Sequence, residues 1–208
     1  MNAQDAEQSL SLPRLPSCPP RPGGVQWRGP FGCGDRSPMP QRQRHASRLQ
    51  TLKARLDRAG VRPRTRLGQN FLLDPNQTDC IARAGALEAQ DVVLEVGPGT
   101  GALTRVLAAS GCRILGVELD RRLLAMAAHA TQDLPNVELM EGDVLARKQR
   151  LNPAVCDRLR ALLAAGGSDT RLKSVSSLPY SAGTPFVANL FASDLPWARG
   201  VFLLQAEV

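Results

Sequence analysis

A short strand that ends in a glycine-rich turn constrains this chain of 208 residues more than any other feature. The apolar, β-branched run Val92–Val96 is followed by Gly97, Gly99 and Gly101, and a helical pattern begins immediately afterwards. Glycine suits such a turn because a Cβ would keep a ligand away from the backbone and would clash at positive φ. Strand, glycine turn and helix predict the opening unit of a βαβ ligand-binding fold.

Strand-like runs alternate with helical patterns along the rest of the chain. We predict further strands at residues 113–118, 137–140, 172–176 and 201–204. We predict helices at residues 46–60, after Asp74-Pro75, after Asp120, at residues 153–165 and from Thr184 onward. This alternation predicts an α/β fold, Rossmann-like, with a doubly wound and mostly parallel sheet.

The charge of the chain is unevenly distributed along its length. Residues 1–70 contain 13 Arg and Lys against 4 Asp and Glu, whereas the remaining residues contain 13 against 15. A basic front ahead of a near-neutral body fits an anionic partner such as nucleic acid, although a merely solvated basic tail fits equally well. Residues 1–45 hold eight of the 16 prolines and little aliphatic periodicity, so we predict a disordered tail there and a folded domain over residues 46–208.

Cysteine usage and hydropathy point to a cytoplasmic protein without metal. The five cysteines show neither a C-x-x-C pair nor metal-ligand spacing, which is typical of free thiols in a reducing compartment. The N-terminus has no apolar signal region, and no stretch reaches the roughly 18 apolar residues that a membrane span needs. We therefore expect no membrane association.

Acidic residues follow the predicted strands at the edge where such sheets bind ligands. Glu118 ends the second strand, 21 residues after Gly97, where a carboxylate can accept both ribose hydroxyls of a nicotinamide or an adenosyl cofactor. Asp143 follows the third strand, where it is either an acceptor for an adenine amino group or a simple turn residue. Because Gly97-x-Gly99-x-x-Ala102 also satisfies the dinucleotide fingerprint, a nicotinamide-dependent oxidoreductase remains an alternative.

The fourth strand leads into Ser177-Leu178-Pro179-Tyr180. A polar side chain, a backbone carbonyl and an aromatic ring at a strand end suit a nucleobase that has been taken out of its stack. An ordinary proline turn with a half-buried tyrosine is the more common origin of a Pro-Tyr pair. The oxidoreductase reading gives no reason for the segment.

Several blocks of the chain occur in the order and spacing of one family. They are Leu67-Gly68-Gln69-Asn70-Phe71-Leu72, the Leu94–Thr104 glycine block, Val117-Glu118-Leu119-Asp120-Arg121, Gly142-Asp143, Leu178-Pro179-Tyr180 and Gln205-Ala206-Glu207-Val208. On these motifs, residues 46–208 resemble the rRNA adenine N6,N6-dimethyltransferases. The resemblance implies that S-adenosyl-L-methionine is held by Asn70, Leu72, Gly97, Gly99, Glu118 and Asp143. It also implies that Ser177, Leu178, Pro179 and Tyr180 receive the target adenine.

The resemblance further implies dimethylation of adenines in small-subunit rRNA during ribosome biogenesis, by a cytoplasmic monomer that acts on rRNA or a pre-30S-type particle. The chain departs from the family at Ser177, where the family has asparagine. It also stops before the last strands and the helical carboxyl-terminal domain that family members have. A truncated or inactive copy, which binds RNA or cofactor without turnover, is therefore a second hypothesis.

Overall fold

The computed structural model describes residues 41–58, 60–61, 75–146, 150–178 and 180–204, with residues 41–48, 75 and 180–182 as backbone only. The described residues belong to one compact unit, Met39–Val208. They form five parallel strands in the order β3-β2-β1-β4-β5. The strands are β1 Val92–Val96, β2 Arg113–Glu118, β3 Val137–Glu141, β4 Leu172–Leu178 and β5 Trp197–Leu204.

Six helices connect and precede these strands in the described part of the chain. They are α1 Gln41–Arg58, α2 Pro75–Gly85, α3 Ala102–Ala108, α4 Arg121–Thr131, α5 Pro153–Ala164 and α6 Tyr180–Ala192. None of the described helices is both long enough and apolar enough to cross a membrane. The predicted doubly wound parallel sheet is confirmed.

Two apolar layers cover the two faces of the sheet, and β1 contributes to both. Val92, Leu94 and Val96 belong to a layer that includes side chains of α5 and α6. Val93 belongs to the opposite layer, with side chains of α2 and α3. Successive side chains of a strand point to opposite faces, so a strand covered on both sides becomes uniformly apolar. A third cluster joins α1 to α4 through Leu56 and Leu123.

Several elements are longer than the sequence pattern predicted. Strand β5 begins at Trp197 and β4 continues to Leu178, because these two strands pair in parallel from Leu172↔Trp197 to Leu178↔Leu204. Helix α6 begins at Tyr180, so the prediction that it starts at Thr184-Pro185 was wrong. Pro185 is usually expected in a first helical turn because it lacks an N–H, yet here it lies inside the helix.

Packing accounts for the continuity of α6 through this proline. Phe186, the next residue, is completely buried and meets the Phe202 ring edge to face at a centroid distance of 5.8 Å. Leu190 is also buried in the same layer. Burial of this helix face offsets the helix bond that proline cannot make.

A buried ion pair lies at the amino-terminal edge of the sheet. Lys173 Nζ is 2.6 Å from Asp91 Oδ2, and the two side chains are 5% and 0% exposed. The same ammonium donates to the Ala86 carbonyl at 2.6 Å, and the Asp91 carboxylate accepts from the Glu88 N–H at 2.7 Å. The pair therefore ties the start of β1 to β4 and to the turn after α2.

We expect Lys173→Met to lower the free energy of unfolding by about 3–5 kcal/mol, because it leaves the Asp91 carboxylate buried without its partner. Urea denaturation measures this loss. The matched control is Arg160→Met, which breaks the exposed Arg160–Asp194 ion pair and is expected to cost less than about 1 kcal/mol. Equal losses in the two variants would contradict a stabilising role for the buried pair.

Candidate functional site

The glycine turn after β1 adopts backbone conformations that other residues rarely reach. The φ angles of Gly97, Gly99 and Gly101 are +69°, +58° and +78°. A Cβ on Gly97 would have no heavy atom within 4 Å, so the space beside this residue is open. A Cβ on Gly101 would lie 3.1 Å from Ala130 Cβ. Gly101 therefore permits the close approach of α3 and α4, whereas Gly97 leaves room for a ligand against the backbone.

Glu118 connects this turn to the turn after β2. Its Oε2 accepts a hydrogen bond from the Gly99 N–H at 3.0 Å, and its Oε1 accepts one from the Asp120 N–H at 3.0 Å. Burial raises the pKa of this carboxyl, while the N–H groups of Asp120, Gly99 and Leu119 act in the opposite direction. Asp120 separately caps α4 by accepting from the Arg122 N–H. Glu118 is thus not needed as a helix cap, as predicted.

Asp143 lies beside Glu118 at the same edge of the sheet. The N–H of the preceding residue, Gly142, donates to the Glu118 carbonyl at 2.9 Å. The Asp143 side chain is exposed, and its Oδ1 accepts from the Leu145 N–H at 2.9 Å. Asp143 is therefore a turn residue, which is one of the two roles that the sequence left open. Its other carboxylate oxygen, Oδ2, has no hydrogen-bond partner within the described part of the chain.

Glu95 is a candidate residue that sequence reasoning did not select. It lies within β1, is 1% exposed, and its Oε2 has no hydrogen-bond partner. Burial raises the pKa of this carboxyl to about 8, with the Thr104 hydroxyl opposing the shift and the Glu118 charge adding to it. With this pKa the carboxyl is mostly protonated near neutral pH, and a cationic ligand bound beside it would favour its ionisation. A glutamate inside an otherwise apolar strand was the signal available in the sequence.

Ser176 connects β4 to β1 where their backbone pairing stops. The register of the two strands ends at Leu94↔Ser174. Two residues further on, the buried Ser176 hydroxyl accepts from the Val96 N–H at 2.8 Å. A side chain thus replaces a backbone bond here, at the point where the strand order reverses. Ligands of open α/β sheets bind in the crevice at such a switch point.

Ser177 and Leu178 lie just beyond this connection. The strand predicted over residues 172–176 is longer in the structure, because both residues continue β4 and pair with Leu203 and Leu204. Ser177 is half-buried, and Leu178 is 2% exposed with its side chain in the core. Packing of that apolar side chain favours an extended strand over an early turn.

The structure brings part of the predicted site together. Gly97, Gly99, Glu118 and Asp143 gather at the carboxyl edge of β1, β2 and β3, with Ser177 and Leu178 on the adjacent β4. Asn70, Leu72 and Pro179 lie outside the described residues, and Tyr180 is described only as the first backbone position of α6. Within the described ranges, no group of three or more His, Cys, Asp or Glu could hold a metal ion.

Comparison with known proteins gives this site its context. The family model of ribosomal RNA adenine dimethylase matches residues 60–208. The chain belongs to this family. Among curated members, it is 40% identical to ribosomal RNA small subunit methyltransferase A of Geobacter metallireducens over 149 residues, which cover 72% of this chain and 50% of that protein. It is 34% identical to the protein of that name from Leuconostoc mesenteroides over 156 residues, or 75% and 50% of the two chains.

This dimethylase family member spans about half the length of the curated relatives it matches. Among solved structures, a dimethyladenosine transferase from Plasmodium falciparum aligns with 64% of this chain and 42% of its own, at 22% identity and a TM-score of 0.47. The glycine turn, Glu118 and Asp143 all fall inside the segment that the family model matches.

We expect Glu95→Gln to stabilise the protein increasingly as pH rises from about 4.5 to about 8. The pKa of Glu95 is about 8 in the folded protein and 4.5 ordinarily, so the fold favours the protonated carboxyl. The contribution of Glu95 to stability is therefore fully present below the ordinary pKa of 4.5, and it is lost as the pH rises to the folded-state pKa of about 8. Glutamine cannot titrate, so the difference in unfolding free energy between the variant and the original chain grows by up to about 1.4 kcal/mol per pH unit.

Urea denaturation across this pH range measures that difference. Glu141→Gln, which removes an exposed carboxylate at the end of β3, controls for the loss of one negative charge. A difference that stays constant with pH in Glu95→Gln would contradict the raised pKa.

Proposed function

We propose that this protein binds S-adenosyl-L-methionine and dimethylates N6 of adenines in small-subunit rRNA during ribosome biogenesis. The observation that carries the proposal is the Glu118 carboxylate, which joins the glycine turn to the end of β2 within the segment that the family model matches. Family membership also favours an adenosyl cofactor over the nicotinamide alternative. We further propose rRNA or a pre-30S-type particle as the partner, a monomer as the working state, and the cytoplasm as the location.

The described residues fit such a cofactor on two counts. Open space beside Gly97 leaves room for a ligand to approach the backbone. The carboxyls of Glu95 and Glu118 are buried close together, and a ligand that carries positive charge would favour the ionised form of both. In the proposed complex, Glu118 accepts from the ribose hydroxyls and Asp143 from the adenine amino group. Asn70 and Leu72 complete the proposed binding set.

The proposed chemistry requires positioning more than covalent catalysis. Bound S-adenosyl-L-methionine supplies a methyl group and a sulfur leaving group. Adenine N6 is a poor nucleophile because its lone pair is delocalised into the ring. Ser177 Oγ and the Leu178 carbonyl accept hydrogen bonds from the amine, draw it towards tetrahedral geometry and stabilise the positive charge that develops on nitrogen. Pro179 shapes this segment, and Tyr180 stacks on the base.

A catalytically weak copy that binds cofactor or RNA is the second proposal. It is favoured by Ser177, which stands where the family has asparagine. The serine oxygen lies one bond beyond Cβ, whereas an asparagine carbonyl oxygen lies two bonds beyond it. An amine placed for asparagine would therefore stand too far from Ser177 Oγ for a hydrogen bond in the usual window of about 2.7–3.2 Å.

We expect Glu118→Ala to weaken binding of S-adenosyl-L-methionine by at least about 100-fold while the fold survives. Loss of two hydrogen bonds to a charged acceptor, at roughly 1.5–3 kcal/mol each, accounts for this magnitude. Calorimetric titration measures it. Asp120→Ala, which removes the α4 cap at the same turn, is the matched control and should retain affinity. Unchanged affinity in Glu118→Ala, or equal losses in both variants, would refute the assignment.

If the second proposal holds, we expect Ser177→Asn to raise the rate of methyl transfer to small-subunit rRNA by about 100- to 1000-fold, without a change in cofactor affinity. This is the range typical of one preorganised hydrogen-bond partner. The matched control is Ser177→Ala, which should be as slow as the original chain if the serine oxygen does not reach the amine. An original chain as fast as Ser177→Asn, or much faster than Ser177→Ala, would show that serine is an adequate acceptor.

A further inference from the structure

A basic groove lies between α1 and α4, outside the candidate site. Its volume is about 430 Å³, and it is lined by three arginines, two apolar residues and a histidine: Arg55, Arg58, Arg122, Ala125, Met126 and His129. We call this the α1–α4 groove. The two helices are held together by apolar contacts of Leu52, Leu56, Val61, Leu123 and Met126. The relative positions of the groove's cationic side chains are therefore set by core packing rather than by chance proximity on the surface.

The arginines of the α1–α4 groove have no acidic partners in the described part of the chain. Arg105, Arg158 and Arg160, which are also exposed, each bind an aspartate or glutamate at 2.5–3.0 Å. None of the ion pairs in the described ranges involves a groove arginine. Like charges that converge without a counter-charge repel one another, so this arrangement is stabilised by a bound anion.

A backbone carbonyl holds one of these arginines, Arg122, in place. The Arg122 guanidinium donates to the Gly60 carbonyl, which follows α1. The nearest carboxylates along the chain are those of Asp57 and Asp120, and neither lines the groove. Asp120 is occupied by the Arg122 N–H at the cap of α4. The groove is thus left with a net positive charge.

The groove starts close to the candidate site and leads away from it. Helix α4 begins directly after the turn that Glu118 holds, and Arg122 lies in its first turn. His129 lies seven residues later, which corresponds to about 10 Å along a helix axis. On α1, Arg55 and Arg58 are three residues apart and share a helix face. The three arginines therefore lie along two neighbouring helices rather than at a single point.

We propose that the α1–α4 groove binds the phosphodiester backbone of the RNA whose adenine is modified. This inference rests on the proposed function. Guanidinium groups match phosphate oxygens in a two-pronged geometry, and several guanidinium groups along a path match the repeated phosphates of one strand. Phosphate contacts of this kind position a nucleic acid without reading its sequence. The groove orients the RNA, and the carboxyl edge of the sheet receives the base.

The test compares two triple variants with the same change in charge. The groove variant carries three substitutions on the two helices: Arg55→Gln, Arg58→Gln and Arg122→Gln. The control variant carries three substitutions at exposed arginines elsewhere: Arg83→Gln, Arg150→Gln and Arg171→Gln. The probe is a short fluorescent RNA hairpin, titrated without cofactor by anisotropy between about 50 and about 200 mM salt.

We expect the groove variant to lose at least about tenfold in RNA affinity at the lower salt. The slope of log affinity against log salt concentration should become less negative by about 2. Each of three lost phosphate contacts contributes roughly 0.7 to this slope for a single strand. The control variant should change by less than about twofold, because scattered charges do not share one phosphate path. Equal effects in the two variants, or no effect in the groove variant, would overturn the proposal.

Three further measurements keep the outcomes distinct. The double variant Arg55→Gln/Arg58→Gln leaves the contact between Arg122 and Gly60 intact, so it tests the groove even if the triple variant unfolds. Poly-glutamate is titrated as a second probe. The proposal would be overturned in favour of an acidic protein partner if the original chain bound this polymer, the groove variant did not, and added RNA failed to compete. Calorimetry with S-adenosyl-L-methionine separates the two proposals. If only the groove proposal is wrong, the protein still binds the cofactor; if the proposed function is wrong, it does not.

Discussion

Strand β1 is enclosed on both faces and paired on both edges, and it positions the glycine turn that follows it and the Ser176 side chain that it binds. Its side chains enter both apolar layers, and β2 and β4 lie on either side. Such a strand has no freedom to shift, so the glycine turn at its end is held rigidly. The one polar side chain inside it, Glu95, is enclosed with it, and burial raises its pKa to about 8.

The two edges of the sheet differ in whether their buried carboxyl groups are paired with a cation. At the amino-terminal edge, the Asp91 carboxylate is matched by the Lys173 ammonium at 2.6 Å. At the carboxyl-terminal edge, Glu95 and Glu118 are buried close enough for the charge of one to affect the other, and neither forms an ion pair among the described residues. The first edge stabilises the fold, whereas at the second edge a ligand that brings positive charge would favour ionisation of the two carboxyls.

Charge separation also extends to the surface around the site. The buried carboxyl of Glu118 at the sheet edge and the α1–α4 groove are joined by the short turn between Glu118 and Arg122. A sulfonium cofactor and a polyanionic RNA require opposite charges from the protein. In the proposed complex, the start of α4 lies between these two ligands, so this one helix would contact both.

The sequence by itself determined the fold class and the positions of the glycine turn, Glu118 and Asp143. Local signals were sufficient for these, because periodicity, glycine and strand-end position depend on nearby residues. Only the tertiary structure decided where β4, β5 and α6 begin and end, since strand pairing and burial of Phe186 override local propensity. It alone showed the hydrogen bond from Val96 to Ser176, the isolation of Glu95 and the α1–α4 groove, because each depends on groups far apart in the chain.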